Sequence, residues 1–216
     1  MDEKKPEAQK PSPAPNRKRR LLVAATSAVG GVELAAAAVP FVASLLPSAR
    51  AKAAGAPVRY DISKLAPGER ATVTWRKKPV WILRRTPHEL KIAEHSDLVL
   101  SDPKSQTAQQ PPGMKLHLAS GARAVRPEYL VLVGICTHLG CIPDYKPKPG
   151  SVDPKWPGGF YCPCHGSMYD LSGRVVAGSP APLNLPVPPY YYESSNVIRI
   201  GELENGADQN WQPQIW

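Results

Sequence analysis

Cys136-Thr137-His138-Leu139-Gly140-Cys141, taken together with Cys162-Pro163-Cys164-His165-Gly166-Ser167, decides how this chain is read. The two boxes hold all four of its cysteines and two of its five histidines. Sulfur concentrated beside paired imidazoles is not core filler, and three uses compete for it. A structural zinc site takes four ligands: all cysteine, three cysteines with one histidine, or two of each. Six candidates are on offer, so zinc leaves two cysteines over. Disulfides alone use the cysteines and leave the matched histidines unexplained. A [2Fe–2S] cluster accounts for all six. One cysteine and one histidine from each box bind it, two thiolates on one iron and two imidazoles on the other, and the remaining two cysteines pair. The residue types favour this third reading.

C-T-H-L-G-C followed by C-P-C-H-G-S resembles the high-potential Rieske proteins of cytochrome bc1 and b6f complexes. The likeness continues through Tyr169-Asp170-x-Ser172-Gly173-Arg174 and Pro180-Ala181-Pro182-x-Asn184-Leu185, and backwards to an apolar N-terminal run. One departure is Gly178-Ser179-Pro180-Ala181-Pro182, where many members read G-P-A-P; a proline-rich cover can absorb the extra residue. The resemblance implies Cys136, His138, Cys162 and His165 as cluster ligands and Cys141–Cys164 as a disulfide joining the two loops. It also implies Ser167 and Tyr169 as hydroxyl donors to the cluster, and His165 as the histidine that meets a quinol.

The formal net charge is +9, and the first twenty residues carry seven Lys/Arg against three Asp/Glu, with prolines at 6, 11, 13 and 15. Residues 1–20 read as a disordered basic tail. A nucleic-acid partner is disfavoured, because an apolar run comes directly after the basic cluster. That run, from Leu21 to Leu46, has 26 residues and one charge, Glu33, against roughly 20 residues needed for a spanning helix. It lacks the polar face of a core helix. Arg17-Lys18-Arg19-Arg20 ahead of it places the N-terminus in the cytoplasm, and Arg19-Arg20 also fits a twin-arginine export signal. The expectation is an uncleaved single-pass anchor over 21–46. A mitochondrial transit peptide fits poorly, because Asp2, Glu3 and Glu7 are acidic. Glu33 is costly against lipid, and reads either as a contact with a partner helix or as a protonated or snorkelled side chain. Residues 47–57, rich in small side chains, read as a hinge linker.

The domain proper, residues 58–216, reads as mainly antiparallel β with one short helix. Ala71–Trp75 and Val80–Leu83 are candidate strands, joined by Arg76-Lys77-Lys78-Pro79. Thr86-Pro87-His88-Glu89 is a capping-box helix start, which puts His88 and His95 on a short polar helix as exposed side chains. Residues 101–128 show no pattern, and His117 has no evident partner. Tyr129–Ile135 is a continuous apolar strand leading into the first box. Val187–Glu193 and Val197–Ile200 read as a hairpin. The last sixteen residues are a polar extension of no legible role. Residues 134–182 form a loop-built cluster-binding subdomain, and the resemblance implies the three-sheet Rieske fold.

Two neutral imidazoles in place of two thiolates make a cluster less negative, so it accepts an electron more readily than an all-cysteine one. A Cys141–Cys164 bond requires an oxidising compartment such as the periplasm. The resemblance therefore implies an iron–sulfur subunit of ubiquinol–cytochrome c reductase in the cell inner membrane. Its implied partners are ubiquinol, the lipid bilayer, cytochrome b and cytochrome c1, in a dimeric complex. A small subunit of another exported oxidoreductase, such as an arsenite oxidase, is the alternative. A ring-dioxygenase ferredoxin lacks the extra cysteines and the anchor, and plastoquinol is disfavoured by the Asn184-Leu185 segment.

Overall fold

The computed structural model describes residues 16–46, 55–95, 97–206 and 211–214. The chain divides into two compact units, Met1–Arg50 and Ala51–Trp216. Most of the expected tail (1–15) and of the linker (47–54) lies outside the described residues.

Among its described residues the first unit contains one helix, α1 (Arg17–Ser44), of 28 residues, about 42 Å long at 1.5 Å per residue. It starts four residues before the apolar run, so Arg17–Arg20 are helical rather than part of a disordered tail. The Asn16 side chain accepts the Lys18 N–H at 3.1 Å and caps the first turn. Arg and Lys are good helix formers, so the helix extends through them. At the other end it stops at Ser44, with Leu45 as the C-cap, two residues short of the expected boundary. No residue of α1 is buried, and Leu21, Leu22, Val32, Leu34 and Phe41 are all well exposed. Two of its hydroxyls are satisfied internally: Thr26 donates to the Leu22 carbonyl at 3.0 Å and Ser44 to that of Phe41 at 2.7 Å. This is what an apolar solvent requires of polar groups. By length and composition α1 can cross a membrane.

The second unit is built from three antiparallel sheets of three strands each. The strands are β1 (Val58–Asp61), β2 (Arg70–Trp75), β3 (Lys78–Arg84), β4 (Tyr129–Val133), β5 (Asp144–Lys146), β6 (Gly159–Cys162), β7 (Ser167–Tyr169), β8 (Tyr190–Tyr192) and β9 (Val197–Ile200). Their orders are β1-β9-β8, β2-β3-β4 and β5-β6-β7. The helix α2 (Pro87–His95) follows β3. Its expected capping box is present: Glu89 Oε2 accepts the Thr86 N–H at 2.6 Å, and Thr86 Oγ1 accepts the Glu89 N–H at 3.2 Å. His88 and His95 are exposed, as expected, and so is His117.

Prolines trim the expected strands. The strand expected over Val187–Glu193 shrinks to Tyr190–Tyr192, because Pro188 and Pro189 have no N–H to give a ladder. Pro79 lies inside β3, not in the turn before it. Its carbonyl accepts the Gly134 N–H at 2.8 Å, but it returns no N–H. The β3–β4 ladder therefore ends there, and the chain leaves for the first box.

The core is continuous from the β2-β3-β4 sheet into the cluster sheet. Trp81 of β3 stacks on Phe160 of β6 at 5.2 Å and 8° between ring planes, with Tyr145 of β5 tilted on the same Phe160 at 5.4 Å. Arg70 covers the Trp81 ring at 4.7 Å. A Cβ at Gly134 would lie 2.3 Å from the Trp81 indole, so this position admits only glycine without displacing the stack.

The β2–β3 hairpin turns in two residues, with Trp75 paired to Lys78. Arg76 and Lys77 both have positive φ, 50° and 62°. This is the mirror-image turn that strand twist favours and that Asn and Gly fill most cheaply. Lys77 is exposed and carries the left-handed penalty in full. Lys77→Gly is expected to raise stability by about 0.5–1 kcal/mol. Denaturant unfolding of the β unit, compared by midpoint at unchanged slope, checks this.

Candidate metal centre

The two boxes are the same turn used twice. In the first, the Cys136 carbonyl accepts the N–H of Gly140 at 3.0 Å; in the second, the Cys162 carbonyl accepts that of Gly166 at 3.0 Å. The two glycines have φ of +83° and +78°, and a Cβ on either would meet nothing within 4 Å. Glycine is required there for backbone conformation, not for space. The first box is closed further by the Cys136 N–H donating to the Cys141 carbonyl at 2.7 Å.

These turns bring all six sequence candidates to one tip. Cys141 and Cys164 form a disulfide, with Cα atoms 6.7 Å apart. The Cys162 thiol lies within 4.8 Å of both bridged sulfurs. Bridged sulfur is no thiolate ligand, so the donors left are Cys136 and Cys162, both buried and free, together with His138 and His165. The two imidazoles meet edge to face with centroids 4.7 Å apart. His138 is half-buried and His165 is exposed. Burial pushes the Cys162 thiol pKa up, and the N–H groups of Cys164 and His165 partly offset it.

The donor set fits a [2Fe–2S] group on two counts. Two free thiols lie buried beside a formed disulfide without joining it. The buried Nδ1 of His138 has no hydrogen-bond partner among the described residues, a costly state for a ring nitrogen unless a further atom binds it. Two thiolates and two imidazoles are the Rieske ligand set.

The surroundings of the four donors are polar and ordered. Tyr169 Oη donates to Cys136 Sγ at 3.3 Å and accepts the Thr137 N–H at 3.2 Å. Burial, then the bond to Cys136, raises the Tyr169 pKa, so the phenol keeps its proton. Ser167 is fully buried, and its Oγ accepts the Ala181 N–H at 3.0 Å, which leaves its own proton to donate. Thr137 Oγ1 donates to the Leu183 carbonyl at 2.6 Å, fastening the first box to the proline-rich cover. The additional Ser179 in that cover has a role: its Oγ accepts the Met168 N–H at 3.1 Å and donates to the Met168 carbonyl at 3.3 Å.

Beneath the tip lies a network that the sequence pattern did not disclose. Asp170 binds Arg174 at 2.6 Å and accepts the N–H groups of Ser172 and Arg174. Arg123 donates to the carbonyls of Ser172, Gly173 and Leu185, while Arg85 reaches Ser172 Oγ and the carbonyls of Ala122 and Pro127. Burial lowers the pKa of Arg85 and of Arg123 to about 10, so both remain cations near neutral pH. Asp170, Ser172 and Arg174 lie in one stretch that the family resemblance includes, but Arg85 and Arg123 reach it from tens of residues away, and no local motif marks them.

Around the exposed His165, the tip presents Leu139 at 70% and Ile142 at 57% exposure, with Pro163, Pro180 and Pro182 also exposed. This is an apolar rim about a single polar ring.

Comparison with known proteins agrees with this geometry. The profile described as "Rieske [2Fe-2S] domain" matches residues 58–189. One described as "Ubiquitinol-cytochrome C reductase Fe-S subunit TAT signal" matches residues 8–48. The ubiquinol-cytochrome c reductase iron-sulfur subunit of Allochromatium vinosum is 52% identical over 192 residues, covering 88% of this chain and 91% of that protein. The proteins of the same name from Blastochloris viridis and Rhodospirillum rubrum are 44% and 42% identical over 85% of this chain, covering 92% and 91% of their own lengths. The chain belongs to the Rieske [2Fe–2S] family, among the iron–sulfur subunits of ubiquinol–cytochrome c reductase.

Proposed function

We propose that this chain is the electron-transfer subunit of a cytochrome bc1 complex, anchored by α1, with its cluster domain on the periplasmic side. The observation that carries the reading is the tip itself: two buried thiols and two imidazoles beside a disulfide, with Tyr169 Oη on Cys136 Sγ. When bound through Cys136, His138, Cys162 and His165, the [2Fe–2S] group supplies one-electron chemistry between ubiquinol and the haem of cytochrome c1. Arg19-Arg20 ahead of α1, and the export-signal match over residues 8–48, support transfer of the domain across the inner membrane. The disulfide is consistent with an oxidising compartment.

The chain's residues divide the work. The exposed His165 presents a ring nitrogen to the quinol hydroxyl, accepts its hydrogen bond and then takes its proton. The rim of Leu139, Ile142 and Pro163 seats the tip against an apolar site on cytochrome b and keeps water away from the bond. Tyr169 and Ser167 direct hydroxyl protons towards sulfur, which favours the more negative state. Residues 47–57 act as the hinge that lets the domain collect an electron at one place and deliver it at another.

Electron paramagnetic resonance of ascorbate-reduced membranes is expected to show a Rieske signal whose shape changes with quinol-site inhibitors. A signal that ignores those inhibitors would favour a different exported oxidoreductase. Tyr169→Phe is expected to keep the cluster and lower its midpoint potential, by the equivalent of about 1–3 kcal/mol for a hydrogen bond to a charged acceptor. Quinol oxidation slows with it, and an unchanged potential would remove the phenol from the tuning role. His165 as proton acceptor predicts that quinol oxidation rises with pH in step with the pH dependence of the potential, both curves taken on one preparation.

A further inference from the structure

The residues around Trp211 belong to the polar extension. Trp75, the last residue of β2, is 1% exposed. Gly201 is packed so tightly on it that a Cβ would lie 2.5 Å from the indole Nε1 and 3.1 Å from the Cα of Pro57. Pro57 is the last residue of the linker. On the same indole lies the Arg76 guanidinium, 4.4 Å from the ring centroid, and its Nη1 donates to the Trp211 carbonyl at 2.8 Å. Pro213 beyond it is buried. Trp75 thus holds Gly201 at the start of the extension and, through Arg76, its later part, while Gly201 in turn abuts Pro57 at the end of the linker.

Arg76 sits at φ 50° in a turn that glycine or asparagine fills at less cost. An arginine held there is a backbone outlier that other contacts must compensate. The cation–π contact and the bond to Trp211 are that compensation.

We propose that Trp75, Arg76 and the segment around Trp211 form a clasp that fixes the domain-side end of the linker at Pro57, so that the C-terminal segment sets how much of the linker is free to move. These are positioning residues, and the proposal rests on the reading of residues 47–57 as a hinge. Released from the clasp, the four-residue edge strand β1 peels from β9, and its residues join the linker and lengthen the tether. The effective concentration of a tethered module falls as roughly the −3/2 power of tether length.

The test uses the assembled complex with two variants, Arg76→Gln and a chain ending at Gly206. Amide hydrogen exchange read by mass spectrometry is expected to quicken at least tenfold over residues 55–61, while 129–133 keep their rates. Cytochrome c reduction is expected to fall by up to about twofold, with the Rieske signal and the midpoint potential unchanged. Unaltered exchange over 55–61 in both variants overturns the clasp, as does equal quickening over 129–133, which would mark a general loss of stability. A loosened segment with an unaltered rate overturns its role in positioning. Absence of the Rieske signal from the unmodified complex would instead sink the functional reading and leave the exchange result standing.

Discussion

Trp81 lying flat on Phe160 is the contact on which the site depends. It joins a strand of the supporting sheet to the strand that delivers Cys162, and it forms only because Gly134 has no side chain to intrude. Offset stacks of this kind contribute about 0.5–1.5 kcal/mol beyond their buried area. Its larger effect is geometric. β6 carries Phe160 and Cys162 two residues apart on one face, and pairs Phe160 with Tyr169. Seating Phe160 therefore places the free, buried Cys162 and aims the phenol at Cys136 in the same act.

The loops of the tip have few strands to satisfy their backbone, so side chains do it instead. Arg123 alone serves three carbonyls, those of Ser172, Gly173 and Leu185, and Arg85 holds two more. A buried cation is tolerated where it is hydrogen-bonded. Asp170 fixes the turn after Tyr169 through Ser172 and Arg174. The hydroxyl at Cys136 is thus braced from behind by charge in the interior.

The parts of this arrangement that were legible in the chain are those written in local pattern. The cysteine–histidine spacing marked the cluster, the resemblance implied the Cys141–Cys164 bond, and Thr86-Pro87-x-Glu89 marked α2. Local pattern was also where the boundaries slipped. Asn16 capped α1 ahead of its apolar run, and Pro188 and Pro189 cut a strand that hydrophobicity alone would extend. The arginine network, the Trp81–Phe160 stack and the covering of Trp75 were not legible. Each joins residues tens of positions apart, and an arginine destined for the interior has the same local surroundings in sequence as one in solvent. Ser179 shows the intermediate case: the sequence marked it as an insertion, and only the fold supplied its two bonds to Met168.

The repeated turn has a consequence for the asymmetry of the tip. Both boxes run from a cysteine to a glycine four residues later, closed by the same hydrogen bond. The histidine occupies the third place of the first turn and the fourth place of the second. Two copies of one backbone shape thus carry their imidazoles out of phase by a single residue, and one ring turns half inward while the other faces out. A symmetric pair would present two equivalent rings and no preferred approach. The one-residue offset gives the tip a front.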